Sequence, residues 1–161
     1  GAAAPLPRIS SYAVSKVGIV RFIENLSEEL KNYNIDINSV APGTINTNML
    51  TEILRAGPKK IGNYAYKKAL KQKKLGGSSY EDACNLILFL GSNYSDGIRG
   101  KLISAIWDDW KNWPNYKSLL AKSDLFTLRR ITSQDRGVKW GQLKKKSIYD
   151  HSLVPTNKLK K

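Results

Sequence analysis

Residues 10–30, SSYAVSKVGIVRFIENLSEEL, and residues 35–49, IDINSVAPGTINTNM, carry the information that sets the fold. In the first stretch Ile19, Phe22, Ile23, Leu26 and Leu30 recur three and four apart, which is the spacing of one helical face. Glu24, Glu28, Glu29 and Lys31 occupy other faces, and Asn32 and Asn34 are stop residues. A helix is therefore predicted from Ser10 or Ser11 to about Tyr33. In the second stretch Ile35, Ile37 and Val40 are β-formers and Pro42 ends the run, so a strand is predicted over Ile35–Ala41. A helix running closely into a short buried strand is the unit of an α/β layer. The loop after such a strand, here residues 42–50, is where open α/β sheets bind ligands.

Residues 50–75 read as short lysine-rich helices broken at Gly57 and Gly62, with the character of a mobile lid. A further helix is predicted over 79–91, capped by Ser78 or Ser79, with Glu81 and Asp82 in its first turn. Its apolar stripe is Ala83, Leu86, Ile87 and Leu90, and Gly91 is its terminator. Residues 101–107, KLISAIW, form a second predicted strand with Ile103 and Ile106 in the core. Beyond Trp107 the pattern becomes irregular. Two parts are expected: an α/β part over 1–107 and a basic, partly irregular extension over 108–161, with some of 132–161 disordered. The trio Trp107, Trp110 and Trp113 either packs the extension onto the domain or forms a stacking or partner surface. Arg129 and Arg130 are either solvated or partners of a phosphate or carboxylate.

The chain has 161 residues and is 41% hydrophobic, enough for one domain with a core. One cysteine, Cys84, excludes an internal disulfide and a cysteine-cluster zinc site. The single histidine, His151, argues against a histidine metal centre or a Ser-His-Asp triad. No apolar run approaches bilayer length, and the N-terminus lacks the layout of a signal peptide, so a soluble cytoplasmic protein is expected. The formal net charge is +14, which raises nucleic acid as a partner. The charge is spread, however: residues 1–107 carry 14 Lys/Arg against 8 Asp/Glu, and residues 108–161 carry 13 against 5. Solvated lysines, or a channel that attracts anionic substrates, account for that distribution better than nucleic acid does.

Tyr12 and Lys16 stand four apart and so share one helix face, one turn apart. A free tyrosine is a poor base near neutrality, with a pKa of about 10. An ammonium close by favours the phenolate and brings the phenol toward acid–base use. Ala13, Val14, Ser15 and Gly18 are small or compact and would let a flat ligand approach. Taken alone, this spacing equally fits an ordinary amphipathic face.

The combination is more specific. Tyr12 and Lys16 with Ser15 before the lysine, the long helix with Glu28, Glu29 and Leu30 near its end, Asn38-Ser39-Val40-Ala41, Pro42-Gly43 and Thr47 four residues after Gly43 together resemble the short-chain dehydrogenase/reductase family. The resemblance runs through the strand at 101–107. It implies the C-terminal half of a Rossmann-type doubly wound parallel sheet, NAD or NADP as cofactor, and interconversion of an alcohol and a carbonyl. Tyr12 would be the catalytic acid/base. Lys16 would tune it and hold the nicotinamide ribose. Pro42 and Gly43 would pass beside the nicotinamide ring, where a side chain at Gly43 would intrude. Backbone near Ile45 and the Thr47 hydroxyl would hold the carboxamide or phosphate region, although Thr47 also fits a helix N-cap. The resemblance further implies a homo-oligomer paired through the first helix.

The family's TGxxxGxG phosphate cradle has no counterpart here, nor do its active-site asparagine and its catalytic serine, which stands about a dozen residues before the tyrosine. The chain is accordingly expected to be an incomplete fold, with two of about seven strands, and inactive by itself. The 101–131 region resembles the extension of family members from bacterial surface-polysaccharide and nucleotide-sugar biosynthesis, which implies an anionic substrate such as a sugar nucleotide. Two other readings stay open: a non-enzymatic basic module that binds RNA or another anion, and a fragment that complements a separately encoded N-terminal half.

Overall fold

The structure is a computed structural model that describes residues 4, 5 and 7–138. Of the stretch 132–161, part of which is expected to be disordered, residues 139–161 lie outside the described residues.

Helix α1 spans Ser10–Glu29 and leads through turns at 30–34 into strand β1, Ser39–Ala41. Helices α2 (Asn48–Ile61), α3 (Asn63–Leu75) and α4 (Tyr80–Leu90) follow, then strand β2 (Leu102–Ser104) and the short helix α5 (Lys117–Ala121). Short 3-10 segments lie at Asn93–Ser95, Trp110–Tyr116 and Gln134–Arg136. The α/β expectation holds: β1 and β2 pair in parallel, with Val40 opposite Ile103.

Both strands are shorter than predicted, three residues each instead of seven. Isolated bonds prolong the ladder at either end: Gly100 N–H donates to Ile37 O, and Ala105 N–H to Ala41 O. Ile35, which pairs with no strand among the described residues, is half-exposed. The parity of the ladder turns Ser39 and Ala41 toward β2 and leaves the Val40 peptide groups on the open edge of β1. The outer edge of β2 is covered differently: Leu102 N–H donates to Phe126 O in the C-terminal extension.

Val40 and Ile103 join a core with Ala83 and Leu86 of α4 and with Ala105, Trp110, Trp113 and Leu120. Leu86 and Ile103 are fully buried, and each such side chain stabilises the fold by about 1.5–3 kcal/mol. Ile106 packs against this core, while Ile87, assigned to the apolar stripe of α4, is 59% exposed. Of the tryptophans at 107, 110 and 113, the latter two are buried and hold the extension in place, and Trp107 is 86% exposed.

The apolar stripe of α1 is not its buried face. Val20, Glu24 and Ser27 are buried instead, whereas Ile19 and Phe22 are exposed and Ile23, Leu26 and Leu30 are half-buried. The reason is local: Gly100, which precedes β2, comes so close that a Cβ there would lie 2.4 Å from Ser27 Oγ, so only a small residue fits at 27. The next turn back along the helix, at Glu24, serves the extension with hydrogen bonds instead of apolar contact.

Gly57 (φ 73°) kinks α2, and Gly62 (φ 87°) separates α2 from α3, as the glycine breaks predicted. Ser79 caps α4, its Oγ accepting from Glu81 N–H at 3.0 Å.

Candidate active site

Tyr12 and Lys16 lie in the first two turns of α1. Ser15 Oγ bonds back to Tyr12 O at 2.7 Å and stays within the helix. Lys16 Nζ sits 5.3 Å from the centre of the Tyr12 ring, so the i, i+4 pair meets as the spacing requires. Neither the Tyr12 hydroxyl nor Lys16 Nζ has a hydrogen-bond partner among the described residues, and Lys16 is exposed. The two polar ends are therefore available to a ligand.

The other end of α1 is placed by Ser27. Ser27 abuts Gly100 at the entry to β2, so the C-terminal half of α1 lies beside the N-terminal ends of the strands. Fifteen residues of helix separate Tyr12 from Ser27, about 22 Å at 1.5 Å per residue. Just before the start of α1, Arg8 Nη1 donates to Lys59 O at 3.1 Å, near the junction of α2 and α3.

That loop is held firmly. Gly43 has φ 92°, and a Cβ there would lie 2.6 Å from Ser78 Oγ and 2.7 Å from Ile106 Cγ1. A side chain at Gly43 would thus meet the chain's own Ser78 and Ile106. Thr44 N–H donates to Ser78 Oγ at 3.0 Å, and Ser78 N–H donates to Thr44 O at 2.9 Å. Gln72 Nε2 donates to Thr44 O, Ile45 O and Asn46 Oδ1. The Tyr80 hydroxyl donates to Asn46 O at 3.2 Å.

Ile45 is half-buried against the core, which fixes the backbone beside it. Thr47 occupies the N-cap position of α2 with an extended backbone, and its carbonyl accepts from Leu50 N–H at 2.9 Å. Its side chain makes no capping bond, so the hydroxyl is not used by the helix. Thr47 also borders a cleft of about 580 Å³ with Asn46, Leu50, Thr51, Lys73 and Tyr80. Pro42, Gly43, Ile45 and Thr47 thus form one rigid edge, and Tyr12 and Lys16 form a second group on α1. No hydrogen bond joins the two groups among the described residues.

A nicotinamide carboxamide needs one donor and one acceptor close together, and a phosphate needs donors. The Ile45 peptide and the Thr47 hydroxyl offer that set, with Ile45 N–H and Thr47 Oγ1 unengaged among the described residues. The residues present fit the group.

Sequence reasoning missed Gln72, Asn46, Ser78 and Tyr80. The one available signal was Gln72 itself, the single uncharged polar residue in the run KKALKQKK at 67–74. Arg129 is engaged by its own chain: it pairs with Asp124 and makes a two-pronged contact with Asp135 at 2.7 and 2.9 Å. The Arg129 guanidinium, then the Thr132 amide and hydroxyl, hold the Asp135 carboxyl well below the usual carboxylate range. Among the described residues no cluster of histidine, cysteine or carboxylate groups could hold a metal ion, and no helix is long and apolar enough to cross a membrane.

A family model described as enoyl-(acyl carrier protein) reductase matches residues 1–105. A curated relative, dehydrogenase/reductase SDR family member 4 from Sus scrofa, is 44% identical over 48 residues, which are 30% of this chain and 17% of that protein. The matched part is thus a small fraction of that relative's length. No solved structure matches the chain. With most of its length covered by the family model, and with the helix, strand and loop arranged as described, the chain belongs to the short-chain dehydrogenase/reductase family.

Proposed function

We propose that this chain is part of an oxidoreductase that interconverts an alcohol and a carbonyl with NAD or NADP, and that Tyr12 and Lys16 are its acid–base pair. The observation that carries the reading is the Tyr12–Lys16 contact, with both polar ends unengaged among the described residues. The cofactor supplies hydride transfer when bound. Lys16 and the Pro42–Thr47 loop would hold it, with Ile45 taking the carboxamide and Thr47 giving its hydroxyl. Tyr12 gives its phenolic proton to the carbonyl oxygen in reduction, or takes the alcohol proton in oxidation. Lys16 stabilises the phenolate through its charge and uses its remaining donors on a ribose hydroxyl.

The open edge of β1 is a natural place for further parallel strands, including the nucleotide-binding ones. On this reading residues 1–107 contribute to the dehydrogenase domain and 108–161 are an extension that braces it. The lysines of α3 suit an anionic substrate such as a sugar nucleotide, in keeping with a role in polysaccharide biosynthesis. The exposed Val14, Val17, Ile19 and Phe22 on α1 suit a homo-oligomer. The exposed free thiol of Cys84 suits a reducing compartment such as the cytoplasm.

The test uses the longest natural polypeptide that contains this chain. Tyr12→Phe abolishes turnover and leaves cofactor affinity within about threefold, the pattern of an interaction made only in the transition state. Turnover comparable to the parent removes Tyr12 from the mechanism.

A further inference from the structure

Helices α2 and α3 pack chiefly on each other. Each buries a single residue, Leu50 in α2 and Ala69 in α3, so the hairpin has little apolar hold on the domain. What ties α3 to the rest is polar and centres on one side chain. Gln72 Nε2 lies 3.1 Å from Asn46 Oδ1, 3.2 Å from Thr44 O and 3.4 Å from Ile45 O. All three partners are acceptors, so only the amide nitrogen can point at them. Asn46 Nδ2 closes the ring by donating to Gly76 O at 3.3 Å, just beyond the end of α3. At the far end of the hairpin, Arg8 Nη1 donates to Lys59 O at 3.1 Å.

We propose that Gln72 is a positioning residue: its side-chain amide latches the α2–α3 hairpin to the oxygens of residues 44–46 and thereby sets the backbone at Ile45. This rests on the reading of that loop as the cofactor's carboxamide site. The latch links two events, since hairpin opening withdraws the donor that orients the Thr44 and Ile45 carbonyls. The flanking lysines 71, 73 and 74 are exposed and do not share the role.

The experiment compares amide hydrogen exchange in this chain with that of Gln72→Ala, Gln72→Glu and Gln72→Lys. Alanine has the higher helix propensity, so faster exchange in α3 of that variant cannot come from local helix weakening. Glutamate keeps the shape without donors, and lysine restores donors. The latch predicts exchange over 63–75 about five- to tenfold faster in the alanine and glutamate variants, the size of one or two net hydrogen bonds. Near-parental exchange is expected in the lysine variant, with α1 and α4 unchanged in all. Parental exchange in the glutamate variant overturns the proposal, and so does equal loss in all three.

A second arm uses the longest natural polypeptide containing the chain. There Gln72→Ala raises the KM for the cofactor about fivefold and leaves kcat within about twofold, as loss of uniform binding does. An unchanged KM overturns the link to the cofactor loop. A parent that binds no cofactor defeats the oxidoreductase reading instead, while the exchange experiment still decides the latch.

Discussion

Glu24 and Leu128, 104 residues apart, meet directly: the Leu128 N–H donates to Glu24 Oε1 at 2.6 Å. Arg21 donates to the carbonyl of the same Leu128, and its Nη1 lies 2.8 Å from Glu24 Oε2 as an ion pair outside hydrogen-bond geometry. A buried carboxylate and its neighbouring guanidinium on α1 thus grip the backbone N–H and C=O of one residue of the extension. Glu24→Ala leaves the Leu128 N–H and the Arg21 charge without their partner, and the expected loss is about 1–3 kcal/mol. Urea unfolding measures it. A variant as stable as the parent would show that the extension does not depend on this contact.

Gly43 approaches Ser78 and Ile106 too closely for a side chain and has a left-handed backbone. Gly43→Ala is expected to cost about 1–3 kcal/mol from backbone strain and overlap. The effect should appear in chemical denaturation without any ligand, which separates it from a purely cofactor-directed role. Unaltered stability would show that the contacts with Ser78 and Ile106 do not require glycine at this position.

Lys101 is buried at the entry to β2, and its Nζ donates to Ser123 O at 2.9 Å and Leu125 O at 3.0 Å. Lys101→Met removes both bonds and leaves two carbonyls unsatisfied, a loss of about 1–3 kcal/mol near neutral pH. Burial pushes the Lys101 ammonium below its ordinary 10.5, against the opposing pull of Asp124 first and then Glu24 and Glu28. The sign follows: between the folded value and 10.5 the unfolded chain binds more protons at this group, so its contribution to stability rises with pH in that window. The stability difference between parent and Lys101→Met should therefore widen as pH climbs toward 10.5. A difference that is flat or narrows there contradicts the burial effect.

Tyr12 is half-buried, and its hydroxyl bonds to no described residue. Tyr12→Phe should leave the unfolding free energy within about 0.5 kcal/mol, as for a substitution that breaks no buried contact. A neutral effect on stability beside a lost activity identifies a chemical role. A large drop in stability would make Tyr12 a packing residue instead.

Short-range periodicity and residue type made much of this readable in advance. The α1–β1–loop order, the Ser79 cap, the breaks at Gly57 and Gly62 and the Tyr12–Lys16 contact all depend on interactions within a few residues, where chain connectivity sets the geometry. The family itself was readable for the same reason, since its motif lies within one helix, one strand and one loop. Three-dimensional packing settled what residues distant in sequence do to one another. The buried face of α1 is not the one its apolar stripe marks, because that face is chosen by Gly100 and Leu128, 73 and 101 residues beyond Ser27. The strands came out short because a ladder is as long as its partner allows, and among the described residues β1 pairs with β2 alone. Gln72 was passed over as part of a lysine-rich surface, because a hydrogen-bond donor acquires meaning only when acceptors from another segment are brought to it.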